Sequence, residues 1–128
     1  MKSLKFSIRK FLKSFCYAAK GILEVYSHEQ NFKVHTLMAF LAVLMGAIFR
    51  IALWEWCFLF LVIALVIASE MINTALEKLC DLTQPEQDER VRVIKDVSAG
   101  MVLVCAVGAL AVGFVIFLPK LIQFLQSL

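Results

Sequence analysis

Three long apolar runs decide what this chain can fold into. The first, "VHTLMAFLAVLMGAIF", covers Val34–Phe49. The second begins near Leu53 and includes "WCFLFLVIALVIA" (Trp56–Ala68), and the third, "VSAGMVLVCAVGALAVGFVIFL", covers Val97–Leu118. A helix crosses a hydrocarbon core of about 30 Å with about 20 residues at roughly 1.5 Å each. The third run is long enough alone. The first reaches that length by using its flanks Phe32, Arg50 and Ile51, with the Arg50 head snorkelling to water. The second reaches it only if its helix continues through Ser69 and Glu70 toward Asn73. With 62% of 128 residues apolar, an ordinary soluble domain is excluded. The expectation is one all-α membrane domain over 1–128. It has a surface helix and link over 1–30, transmembrane helices over 33–51, 53–81 and 96–119, and a loop over 82–95.

The second span leads directly into "SEMINTALEKLCD" (Ser69–Asp81), with no turn residue between. Glu70, Asn73, Glu77 and Asp81 stand at i, i+3, i+7 and i+11. At about 100° per residue they fall at roughly 0°, −60°, −20° and +20°, one narrow stripe. Lys78 lies about 80° away, so the acids have no obvious partner on their own helix. Glu70 sits at the edge of the apolar slab, while Glu77 and Asp81 reach the headgroup layer or beyond. A charge deep in a bilayer costs about 2.5–3.5 kcal/mol even on the lenient insertion scale, and such residues usually mark function.

The cations set the orientation. Of 13 Lys and Arg, Lys2, Lys5, Arg9, Lys10, Lys13, Lys20 and Lys33 precede the first span. Lys78, Arg90, Arg92 and Lys95 lie in or beside the second loop; the first loop has Arg50 and the C-terminal tail Lys120. The positive-inside rule places the N-terminus and the second loop in the cytoplasm and the C-terminus outside. This distribution suits contact with a lipid bilayer carrying anionic headgroups, and nothing in it points to nucleic acid. Near the N-terminus, Leu4, Ile8, Phe11, Phe15, Ala19, Ile22 and Tyr26 recur at helical spacing, opposite Lys2, Lys5, Arg9, Lys13, Lys20 and Glu24. That is an interfacial amphipathic helix rather than a signal peptide, since no apolar core region or small-residue cleavage site follows. Tyr17 falls on its polar side near Lys10, Lys13 and Lys20, suited either to a nucleotide or to the headgroups.

Cys16, Cys57, Cys80 and Cys105 have no paired spacing and read as small apolar fillers. His28 and His35 are the only histidines, too few for a zinc site. Cys105, Ala109 and Gly113 form a ridge of small residues suited to close helix packing. Polar groups from all three spans gather at one membrane level: Glu29 before span one, the stripe at the end of span two, and Lys95 and Asp96 opening span three. The interiors of spans one and three carry no charge, unlike the path of a channel or ion-coupled transporter. Acids with a nearby lysine suit divalent metal and phosphate chemistry. Mg²⁺ takes one or two carboxylates plus substrate phosphate oxygens, and phosphoryl transfer is mostly positioning and charge neutralisation. No G-x-x-x-x-G-K-[ST] or G-x-G-x-x-G motif is present.

The segments "EQNFKVH", "EMINTALEKLCDL" and "KDVSAGMVL" resemble the prokaryotic diacylglycerol kinase family of small integral-membrane lipid kinases. The resemblance runs from "YAAKG" (Tyr17–Gly21) through the third span. It implies a homotrimer with active sites formed between subunits, Mg-ATP as donor, a membrane lipid alcohol as acceptor and a bacterial cell-membrane location. By position, Glu70 resembles the catalytic base, and Glu29 and Glu77 the metal-binding pair. Asn73, Asp81, Lys95 and Asp96 match the rest of the polar site. Lys10 and Tyr17, with Glu29, Glu77, Lys95 and Asp96, match nucleotide contacts, as do Glu86 and Asp88 in a loop that departs from the family pattern. Lys13, Lys33 and His35 join Glu70 on the lipid side. Glu70 lies nearest the apolar slab, where a poorly hydrated carboxylate is the stronger proton acceptor. "NFKVH", "INTA" and "KDVSAG" are similar to the undecaprenol kinases of the family, and His35 stands where the diacylglycerol kinases usually carry an acid. Undecaprenol is therefore the expected acceptor and diacylglycerol the alternative. From other classes, a proton- or cation-coupled transporter using Glu70 and an inert membrane scaffold are the competing readings.

Overall fold

A computed structural model describes residues 5–128, all of its regular structure helical; Lys2 and Leu4 of the proposed amphipathic pattern lie outside the described residues. Helix α1 spans Ile8–His28, α2 Gln30–Ile48, α3 Leu53–Thr83 and α4 Glu89–Gln126. The last three are long and apolar enough to cross a membrane. At roughly 1.5 Å per residue, the 31 residues of α3 run to about 46 Å, well beyond a hydrocarbon core of about 30 Å. One end of α3 therefore stands in water or headgroups.

Sequence chemistry explains the breaks. Ser7 caps α1 by accepting from the Lys10 amide. Between α1 and α2 only Glu29 leaves helical geometry (φ −103°, ψ 114°), and its amide bonds back to the Val25 carbonyl. The first span closes differently from expectation. Its helix stops at Ile48, and Arg50 adopts φ 49° in the left-handed region. The Ile51 amide reaches the Gly46 carbonyl and the Arg50 amide the Ala47 carbonyl, the paired bonds of a Schellman turn. Arg50 thus ends the helix instead of lengthening it.

The loop expected over 82–95 shrinks to 84–88. Helix α3 keeps going to Thr83, where Pro85 bars helical geometry at Gln84 (φ −143°, ψ 82°). Asp88 then caps α4 through the Arg90 amide, and Arg92 pairs with Asp96 one turn on at 2.6 Å. These local bonds recruit seven residues that had been expected in the loop. At the other end α4 continues past 119 to Gln126 with Pro119 inside it.

Helices α3 and α4 pack most extensively; α2 leans on α3, and α1 touches α2 and α3 lightly. The core of buried apolar side chains, Ile51, Leu59 and Ile116, lies toward the α2–α3 turn. Beside it, Glu55 is 7% exposed; it accepts from the Ala52 amide at 2.8 Å and from Lys120 Nζ at 2.8 Å. This clasp ties the start of α3 to the end of α4. Gly46 permits the close approach of α2: a Cβ there stands 2.8 Å from the Trp56 ring and 3.1 Å from Ile51 Cδ1. Outward faces are apolar along all three spans, as membrane helices require. Along α1, Ile8, Phe11 and Phe15 are exposed, with Phe11 and Phe15 packed edge to face at 5.2 Å. Replacing Gly46 with Ala should force Trp56 aside and cost about 1–3 kcal/mol of stability. Thermal unfolding in detergent tests this, and an unchanged midpoint would refute the close approach.

Candidate active site

The polar stripe on α3 emerges as a gradient of exposure. Glu70 is 3% exposed, Asn73 and Glu77 are half-buried, and Asp81 is exposed. Each member meets a partner from another element or from the stripe itself. His35 Nε2 lies 3.2 Å from Glu70 Oε1. The Asn73 carboxamide donates to Glu77 Oε1 at 3.3 Å, and its oxygen accepts from Ser98 Oγ on α4 at 2.6 Å. Lys95 Nζ reaches Asp81 Oδ1 at 2.6 Å. The negative charges of Glu29 and Glu77 both act on the Glu70 carboxylate, so the three acids share one neighbourhood.

Two cavities flank this line. One, of about 320 Å³, is lined by Asn31, His35, Glu70 and Asn73 and, from α4, by Ala99, Val102, Leu103 and Ala106. Its polar groups come from α2 and α3, and its α4 wall is apolar. The other, of about 580 Å³, lies over the loop; Asp81, Glu86, Asp88, Arg92 and Lys95 are among its lining residues. Glu86 and Asp88 thus share a cavity with Lys95. The neighbours Lys95 and Asp96 diverge: Lys95 turns to Asp81 on α3, and Asp96 pairs with Arg92 on its own helix at 2.6 Å.

The surface-helix candidates stand apart. Lys10, Lys13 and Tyr17 are exposed on α1 and line neither cavity. Lys20 Nζ lies 5.8 Å from the centre of the Tyr17 ring. Lys33 Nζ donates to the Ser27 carbonyl at 3.3 Å, bracing the link to α2. An ion pair at 3.0 Å between Lys78 and Glu24 fastens the end of α1 to α3. The Lys78 ammonium holds the exposed Glu24 carboxyl below its ordinary range.

Metal ligation has a plausible donor set in Glu29 and Glu77. Glu29 caps α2 by backbone geometry alone and leaves its carboxylate out of the cap. Glu77 is half-buried, with one oxygen oriented by Asn73. Among the described residues no group of three or more His, Cys, Asp or Glu is gathered as a metal site. Two carboxylates completed by phosphate oxygens fit the preference of Mg²⁺, whereas a closed zinc site needs more protein ligands.

Ser98 escaped the sequence reading. It is 3% exposed and holds Asn73, and through it Glu77, to α4. A serine inside an apolar span is a weak signal, because it can also bond back to its own helix, as Ser98 does near the Lys95 carbonyl at 3.0 Å. Asn31, four residues before His35, was likewise unmarked.

A cluster of acids at the end of a membrane-capable helix, flanked on one side by an apolar wall and on the other by a cleft lined with charges of both signs, is a site suited to a membrane enzyme. Family comparison agrees: the profile described as prokaryotic diacylglycerol kinase matches residues 16–117. The chain belongs to the prokaryotic diacylglycerol kinase family and is a lipid kinase. It is 36% identical over 114 residues to a protein named undecaprenol kinase from Bacillus subtilis (strain 168), covering 89% of this chain and 93% of that one. It is 33% identical over 113 residues to a diacylglycerol kinase from Synechocystis sp. (strain PCC 6803), covering 88% of this chain and 65% of that one.

Asp88 gives a test of the loop geometry. Hydrogen bonds from the Arg90 side chain and amide hold its carboxyl down at about 2, against an ordinary value of 3.8. A depressed carboxyl contributes above its unfolded value and loses that contribution as pH falls through its folded one. Amide protection in the first turn of α4 should therefore persist down to about pH 4 and fade between there and about pH 2. Hydrogen exchange checks this, and Asp88→Asn should remove the dependence.

Proposed function

We propose that this kinase transfers the γ-phosphate of Mg-ATP to the terminal hydroxyl of undecaprenol. It does so at the cytoplasmic face of a bacterial cell membrane, as a homotrimer with sites completed between subunits. The observation that carries the reading is the exposure gradient along α3, from Glu70 at 3% exposed to Asp81 in the open. One helix thereby presents its inner acid to a lipid and its outer acids to a water-soluble nucleotide.

Each residue has a step. The lipid hydroxyl enters the smaller cavity and gives its proton to Glu70, while its oxygen attacks the γ-phosphorus. The new O–P bond forms as the bond to the β-phosphate oxygen breaks, and ADP leaves with that electron pair. Glu29 and Glu77 would hold Mg²⁺, which neutralises phosphate charge when bound. Lys95 exchanges its Asp81 partner for phosphate oxygens, and Asp96, Glu86 and Asp88 border the nucleotide beside it. Lys10 and Tyr17 reach the nucleotide from α1, and Lys13 and Lys33 meet headgroups. Lys10 and Tyr17 line neither of the two cavities beside the stripe; in the homotrimer reading they serve a neighbouring subunit's site.

The apolar wall of Ala99, Val102, Leu103 and Ala106 suits a hydrocarbon chain beside one hydroxyl, which undecaprenol and diacylglycerol both offer, so the preference for undecaprenol rests on sequence similarity. The relative from Bacillus subtilis that bears that substrate's name covers nearly its whole length with this chain. Cytoplasmic placement rests on the excess of Lys and Arg before α2 and around the second loop.

A kinase assay in mixed micelles with a panel of polyprenols and diacylglycerols tests the reading. Turnover should be highest on the long polyprenol; preference for diacylglycerol would reverse the substrate assignment. Glu70→Gln should lower kcat by about 10²–10⁴-fold with nucleotide binding retained. Glu77→Gln should instead raise the Mg²⁺ concentration needed for ATP binding. Full turnover in the Glu70 variant would remove it as the base.

A further inference from the structure

The geometry points to His35 as the positioning residue for Glu70: its imidazole holds one oxygen of the carboxylate on the α2 side and leaves the other to take the proton of the lipid hydroxyl. The inference rests on Glu70 being the base. The buried acid needs such a partner. Its side chain is 4% exposed, and the His35 ring, 23% exposed, brings Nε2 to within 3.2 Å of Oε1. Among the described residues Glu70 has no other ion-pair partner. Lys78, on α3 beside the stripe, and Lys95, on α4, are committed elsewhere, Lys78 to Glu24 and Lys95 to Asp81. A carboxylate in apolar surroundings with an unfixed rotamer loses both hydration and aim.

The placement of His35 suits the task. Asn31 and His35 are four apart on α2 and line the same cavity as Glu70 and Asn73, three apart on α3. The polar edge of the cavity is therefore built between two helices, with His35 the group that touches the base across the gap. Glu29 and Glu77, whose charges also act on Glu70, stand on the aqueous side and repel it. Among the described residues, the His35 ring is thus the one side chain paired with the Glu70 carboxylate.

Two readouts test this. In the lipid kinase assay His35→Ala should lower kcat by roughly 10–100-fold, the scale of a misplaced reacting group, with KM for Mg-ATP unchanged. His35→Gln, whose amide can meet the same oxygen, should recover most of the loss. Wild-type kcat in His35→Ala, equal loss in both variants, or an effect confined to KM for Mg-ATP would overturn the proposal. The second readout needs no turnover. The chain has 2 histidines, so nitrogen NMR of histidine-labelled protein resolves each ring. Glu70→Gln should shift the His35 ring nitrogens and leave those of His28, which pairs with Glu24 at 3.5 Å, in place. Unmoved His35 signals would refute the contact even if the wild type phosphorylated none of the lipids offered, an outcome that would itself remove the kinase assignment of the site.

Discussion

A carboxylate taken out of water must be met by polar groups or it will not stay ionised there. In this chain that requirement falls on Glu70, and much of the surrounding architecture can be understood as meeting it. Helix α2 supplies His35 at 3.2 Å, and α4 supplies Ser98 to steady Asn73 one turn further along. His35 is a side chain that an apolar span would otherwise have little reason to carry. The membrane supplies the contrast: the same α3 that needs about 20 apolar residues to cross continues for 31, and the surplus carries the acids into water.

Much of this was legible from residue order. The stripe at Glu70, Asn73, Glu77 and Asp81 needed only helical periodicity, and the three spans only apolar length. The amphipathic α1 was visible from the spacing of Ile8, Phe11 and Phe15. Long-range pairings were not legible, because sequence distance hides them: Lys95 with Asp81, Lys78 with Glu24 and Lys120 with Glu55 each join separate helices. Element ends misled where local capping outran composition. The polar stretch 89–95 looked like loop, yet the Asp88 cap and the Arg92–Asp96 pair wind it into α4. Arg50 looked like the tail of a helix, yet it occupies the left-handed turn that ends one.

In the proposed reaction the site separates two kinds of recognition. Toward the lipid, a few polar groups face an apolar wall, so discrimination depends on shape and on a single proton transfer. Toward the nucleotide, the loop carries charges of both signs that are already paired with one another, Arg92 with Asp96 and Lys95 with Asp81. Binding phosphate there means exchanging one ionic partner for another, so the ammonium is not left bare and the freed Asp81 carboxylate stays exposed to water.

The Glu55–Lys120 clasp and the Gly46–Trp56 contact lie at the end of the bundle remote from the acids. The opposite pole is held by side-chain bonds, Ser98 to Asn73 and Lys95 to Asp81, and by the short loop between α3 and α4. Exchanging partners at the acid pole therefore leaves the far clasp intact.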